Sequence, residues 1–79
     1  MPKRKPAPPP GPVTEAYPHI ASWVQDGYVE IGRTDWTPSF VRALDEGGMI
    51  WEGAPRYASL EAALRALDDG IAKWLAENG

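Results

Sequence analysis

Apolar residues recur at helical spacing through the last third of the chain. Leu60, Ala63, Leu64, Leu67, Ile71, Trp74 and Leu75 fall on one stripe of a single amphipathic helix spanning residues 59–74. Ser59 is suited to cap its N-terminus, and Glu61 stands in the first turn, where the helix dipole favours an acid. Gly70 breaks the pattern, because a glycine inside a helix costs about 1 kcal/mol relative to alanine. It either permits close approach to a strand or marks a bend. Upstream, the period changes. Residues 28–32 read as a strand, with Val29 and Ile31 on one side and Tyr28 and Glu30 on the other. Residues 40–44 form a second strand whose inward side stays open, since Phe40, Arg42 and Leu44 alternate with Val41 and Ala43. Asp45-Glu46-Gly47-Gly48 is a turn, residues 49–52 are a third strand, and Gly53-Ala54-Pro55 ends it. The hairpin spacing implies an antiparallel meander.

A short helix precedes the strands. Pro18 is a favoured first-turn residue, and Ile20, Trp23 and Val24 give it an apolar face. Gln25-Asp26-Gly27 reads as its end, with Gly27 free to adopt a left-handed cap. At this length the helix is not stable alone and must lean on the sheet. The predicted fold is therefore α+β: a three-stranded antiparallel β-meander with a short N-terminal helix and a long C-terminal amphipathic helix. A Pro-rich tail over residues 1–16 leads into a small domain over residues 17–79.

The tail owes its assignment to composition. Residues 1–12 hold six of the nine prolines, and Pro8-Pro9-Pro10 favours extended polyproline II. Such a segment cannot bury enough apolar surface to fold, so disorder is expected. The sharper alternative is a docking peptide, because Lys3, Arg4 and Lys5 beside PxxP-like spacing suit an aromatic groove or an acidic patch. Charge divides along the same boundary. Residues 1–12 carry +3, while the remainder has five basic side chains and eleven acids, a net of −6 within an overall −3. An acidic body is a poor non-specific ligand for nucleic acid. The tail suits an acidic surface, including that of its own body.

The chain has 79 residues, enough for one domain, and no cysteine. Disulfides and thiolate metal sites are excluded, and the absence suits a reducing cytoplasm. Four tryptophans, Trp23, Trp36, Trp51 and Trp74, supply aromatic cover for a small core. No apolar run approaches the roughly 20 residues that span a bilayer. Proline-rich sequence follows the N-terminal charges where a signal peptide would be apolar, so a cytoplasmic location is expected.

Candidate chemistry is sparse. His19 is the sole histidine and cannot by itself build a zinc site or a catalytic triad. Asp35, Asp45, Glu46, Glu52, Asp68 and Asp69 read as a solvated acidic surface, with Asp68 and Asp69 on the exposed side of the long helix. Gly47-Gly48 leads into a strand rather than a helix, the reverse of a phosphate-binding loop. No enzyme activity, metal or cofactor is expected. The segment Arg33-Thr34-Asp35-Trp36-Thr37-Pro38-Ser39 places a tryptophan among turn-forming residues. A small domain needs aromatic cover, which favours Trp36 folding back over the sheet. The alternative is an exposed anchor, since Trp and Arg dominate binding hot spots. Tyr28 and Trp51 are expected to share one face and widen that patch.

The strand order followed by Ser59-Leu60-Glu61-Ala62-Ala63-Leu64 and Ile71-Ala72-Lys73-Trp74-Leu75 resembles the HicB-like antitoxin domain over roughly residues 28–76. That resemblance implies a degenerate RNase-H-like fold that binds a partner protein. This chain differs in carrying a helix ahead of the sheet. With that helix the order is also similar to a double-stranded-RNA-binding domain, but the segment where that family clusters lysines holds Glu61 and only Arg65. In general form the chain is similar to other small bacterial proteins. The expected function is a protein-interaction module, antitoxin-like or an accessory subunit of a bacterial complex. Its partner-binding residues would be Trp36, Arg42, Arg33, Tyr28 and Trp51, and two copies could pair through an open strand edge. The alternative is a nucleic-acid-associated protein that uses Lys3, Arg4 and Lys5 as an arm.

Overall fold

A computed structural model of the chain describes residues 12–78. The elements are α1 (Pro12–Ala16), α2 (Pro18–Trp23), β1 (Tyr28–Ile31), β2 (Val41–Asp45), β3 (Gly48–Glu52) and α3 (Leu60–Asn78). The strands form one antiparallel sheet in the order β1-β2-β3, so the α+β meander is as the sequence predicts. The N-terminal helix differs in extent. Residues 12–16, assigned to the tail from composition, form α1 and pack against α2. Tyr17 separates the two pieces with φ −132° and ψ 66°, because a residue before proline is pushed out of the helical region. The part of the expected tail at residues 1–11 lies outside the described residues.

Strand pairing settles which side of β2 faces inward. Val29 lies opposite Ala43, and Ile31 opposite Val41, so these four share one face of the sheet. Val41 and Ala43 join Ala63, Leu67 and Ile71 of α3 in a fully buried cluster. Ile20, Trp23, Val29, Phe40, Trp51 and Leu75 close its margins. Thus α3 covers one face of the sheet, and Tyr28, Glu30, Arg42 and Leu44 occupy the other. A bulge between Ala43 and Leu44 of the β2–β3 ladder places Trp51 opposite Ala43 and Met49 opposite Leu44. Trp51 therefore points to the helix side, not to the side of Tyr28 as expected from sequence.

The position of Trp51 accounts for Gly70. A Cβ at residue 70 would lie 2.6 Å from Cδ2 and Nε1 of the indole, inside van der Waals contact. The helix accepts a glycine so that the strand's tryptophan can reach its backbone. Gly70→Ala is expected to destabilise the domain by about 1 kcal/mol net, as overpacking outweighs the gain in helix propensity. In a Trp51→Leu background the same change should be neutral or stabilising. Urea denaturation of both singles and the double variant measures the coupling. Stabilisation by Gly70→Ala alone would contradict the contact.

The close of α2 also departs from expectation. Positive φ occurs at Gly32 and Gly48, not at Gly27. Gly27 is required for space instead, because a Cβ there would lie 2.7 Å from the Leu44 carbonyl oxygen and 2.8 Å from Trp23 Nε1. The Trp23 indole donates from Nε1 to the carbonyls of Tyr28 and Leu44, at 3.2 and 3.1 Å. It also meets Trp74 edge to face, with ring centroids 5.6 Å apart. At the start of α3, Ser59 Oγ accepts from the Ala62 amide at 3.0 Å, the cap the sequence predicts.

Asp68 is buried, contrary to its expected place on the exposed side of α3. Tyr17 gives α2 no side-chain cap. Asp68 supplies one from another helix. Its Oδ1 accepts the amides of His19 and Ile20 at 2.8 and 2.9 Å, and its Oδ2 lies 3.1 Å from His19 Nδ1. These are the second and third residues of α2, whose amides have no partner within the helix. His19 is thereby a packing residue at the α2–α3 contact, with its ring half exposed.

Candidate interaction face

The segment between β1 and β2, residues 32–40, is tied down at both ends by backbone bonds. Gly32 donates to Phe40, and Phe40 donates to Ala54 beside the end of β3. One side chain, Arg42, which the strand alternation aims at the face away from α3, joins the two ends to each other. Nε donates to Glu30 Oε1 at 2.8 Å. Nη1 donates to the Ser39 carbonyl at 2.5 Å and Ser39 Oγ at 3.3 Å, and Nη2 to the Gly32 carbonyl at 3.0 Å. A planar guanidinium can hold three partners at once in this way, and a lysine cannot. Arg42 is only 2% exposed. It is therefore the internal brace of the loop rather than an outward contact, which revises its place among the partner-binding residues.

Trp36 lies over this brace, with the Arg42 guanidinium carbon 5.6 Å from its ring centroid. Its other side is open, leaving the residue 55% exposed. Both sequence alternatives thus hold in part: the indole covers the sheet's arginine and still presents a large aromatic surface. Thr37 fixes the next residue by donating from Oγ1 to Glu52 Oε1 at 2.6 Å. That bond, then the Ser39 hydroxyl, hold the Glu52 carboxyl below its ordinary value against desolvation, and the Arg42 charge adds the smallest lowering.

Two further features lie farther along the Arg42 face and beside the Trp36 loop. Along the sheet, Tyr28 and Met49 flank Leu44 on the same face as Arg42, and both are exposed. On the loop's other flank, Arg33, Asp35, Thr37, Pro38, Pro55 and Arg56 line an open groove of about 390 Å³. Arg33 and Arg56 are exposed, and neither has an ion-pair partner among the described residues. Of the predicted set, the structure places Trp36 over Arg42, Arg33 on the groove beside the same loop, Tyr28 on the Arg42 face at the far end of β1, and Trp51 on the helix side against the core. Lys3, Arg4 and Lys5 lie outside the described residues. Arg56 and the Glu30–Arg42–Glu52 row escaped the sequence reading. Detecting the row requires the strand register, and Arg56 reaches the groove only through the turn after β3.

Among the described residues, no group of three or more His, Cys, Asp or Glu side chains is placed to share a metal ion, and no helix is long and apolar enough to cross a membrane. Comparison of the chain with family models, curated proteins and solved structures finds no match to any of them.

Proposed function

We propose that this chain is a non-enzymatic protein-interaction module, antitoxin-like or an accessory subunit of a cytoplasmic bacterial complex, and that the face headed by Trp36 meets its partner protein. The observation that carries this reading is the state of Trp36, half in solvent yet fixed from beneath by a buried arginine. An exposed aromatic on a mobile loop loses conformational entropy on binding, whereas one already held does not. Tyr28 and Met49 add exposed apolar surface farther along the same face of the sheet, and Arg33 and Arg56 place positive charge on the groove beside the Trp36 loop. Aromatic and arginine side chains in such an arrangement are the usual anchors of protein interfaces. The resemblance to HicB-like domains belongs to the same reading, since that family acts by binding a protein. The edges of β1 and β3 are where two copies would pair.

The test is capture of partners from the host lysate by tagged wild-type and Trp36→Ala proteins, with and without nuclease. The variant should lose only about 0.5–1 kcal/mol of stability, the value of one cation–π contact. It should weaken partner binding by at least about 2 kcal/mol, roughly 30-fold. A stoichiometric, nuclease-resistant protein captured by the wild type and lost with Trp36→Ala supports the proposal. Equal capture by both proteins, or recovery of nuclease-sensitive material alone, contradicts it. The second of those outcomes would favour an arm built on Lys3, Arg4 and Lys5.

A further inference from the structure

A second groove, of about 340 Å³, opens at the opposite end of the sheet between the end of α2, the β2–β3 turn and the last turns of α3. Trp23, Trp74 and Leu75 form its apolar wall, and Asp26, Asp45 and Glu46 stand along it. Aromatic side chains beside acids are the chemistry that receives a basic proline-rich strand: prolines lie on the rings, and cations meet the carboxylates. The chain itself carries such a sequence, Lys3-Arg4-Lys5-Pro6-Ala7-Pro8-Pro9-Pro10. We infer that this groove is the docking site of the chain's own residues 3–10, bound in cis.

Charge, reach and concentration support that occupant. The segment is the one cationic cluster in the sequence, and the three acids provide the opposite charge. Lys5 precedes Pro12 by seven residues, which in polyproline II extend over about 20 Å. Residues 12–23 span at most about 18 Å even as one unbroken helix, so a strand running back along α1 and α2 reaches Trp23. Attachment through a short linker gives an effective concentration in the millimolar range, so even a weak site would be filled. Polyproline II is already extended before it binds, which limits the entropy cost. Docking would neutralise part of the acidic body and leave Trp36, at the other end of the sheet, accessible.

The chain has no cysteine, so Pro2→Cys gives a unique attachment point for a nitroxide spin label on the full-length protein. In ¹⁵N-labelled protein at low salt, the indole N–H signals of Trp23 and Trp74 should lose intensity, while that of Trp36 should not. The loss should disappear in the Asp45→Lys/Glu46→Lys variant and fade as salt rises. A mixture of spin-labelled unlabelled-nitrogen protein with unmodified ¹⁵N protein separates the two sources of contact. No loss in the mixture is the expected result. Loss only in the mixture would assign the groove to a second copy and overturn the inference. Uniform intensities in both samples would overturn it as well.

Discussion

Arg42→Met is expected to lower the stability of the domain by about 2–4 kcal/mol, because breaking a buried charge pair leaves its partners unsatisfied. The methionine fills most of the arginine's volume but donates nothing. Glu30 loses its ion pair, and the carbonyls of Gly32 and Ser39 lose the donors that join the two ends of the loop. Glu30 is 37% exposed and regains water, which keeps the cost below the upper range for wholly buried pairs. A folded body of this size holds about 3–10 kcal/mol in total, so the change is a large share of it. Arg42→Lys should fall between, since an ammonium keeps the charge but not the fork. The chemical denaturation midpoint reads the loss. Hydrogen exchange should show the amides of residues 32–40 opening before the rest of the sheet. Retention of the wild-type midpoint by Arg42→Met would show that the loop is held without the guanidinium.

Asp68→Ala should cost a similar amount, about 2–4 kcal/mol, by a different route. Two amides at the start of α2 lose their acceptor at a partly buried contact, and each unsatisfied donor is worth about 1–3 kcal/mol. With six residues, α2 has no independent stability, so it loosens as a unit with Trp23. Asp68→Asn retains an oxygen for both amides and should cost less. The diagnostic measurement is amide exchange at His19 and Ile20, which should accelerate far more than exchange at Val41 or Leu67. Equal acceleration at all four would mean that the substitution acts on global stability and that Asp68 is not the local cap.

What the chain makes legible follows from how local each signal is. The stripe on α3, the Ser59 cap and the turn at residues 45–48 are written in neighbouring residues, and the structure follows them. Asp68 is not legible as a cap, because periodicity identifies the face toward the sheet but not the flank toward α2. It lies three residues before Ile71 and four after Leu64, on a seam between the core stripe and solvent. Only the packing of a second helix tells a cap there from a surface acid. The inward side of β2 was undecidable from its own alternation, since Val41, Arg42, Ala43 and Leu44 are all buried. Pairing with β1 resolves it, and with it the role of Arg42. The side of Trp51 is likewise not legible, because the bulge in the β2–β3 ladder shifts the alternation along the strand. Gly70, by contrast, was a readable anomaly whose explanation needed one long-range neighbour.

The surface around Trp36 is the proposed seat of a partner protein. The most direct measurement replaces Trp36 with a photo-crosslinking aromatic amino acid in the full-length chain, expressed in its own host. A matched protein carries the same group at Arg65, on the exposed side of α3. One protein adduct of defined mass is expected from position 36 and none from position 65. Absence of an adduct at 36, or the same adducts from both positions, would contradict it.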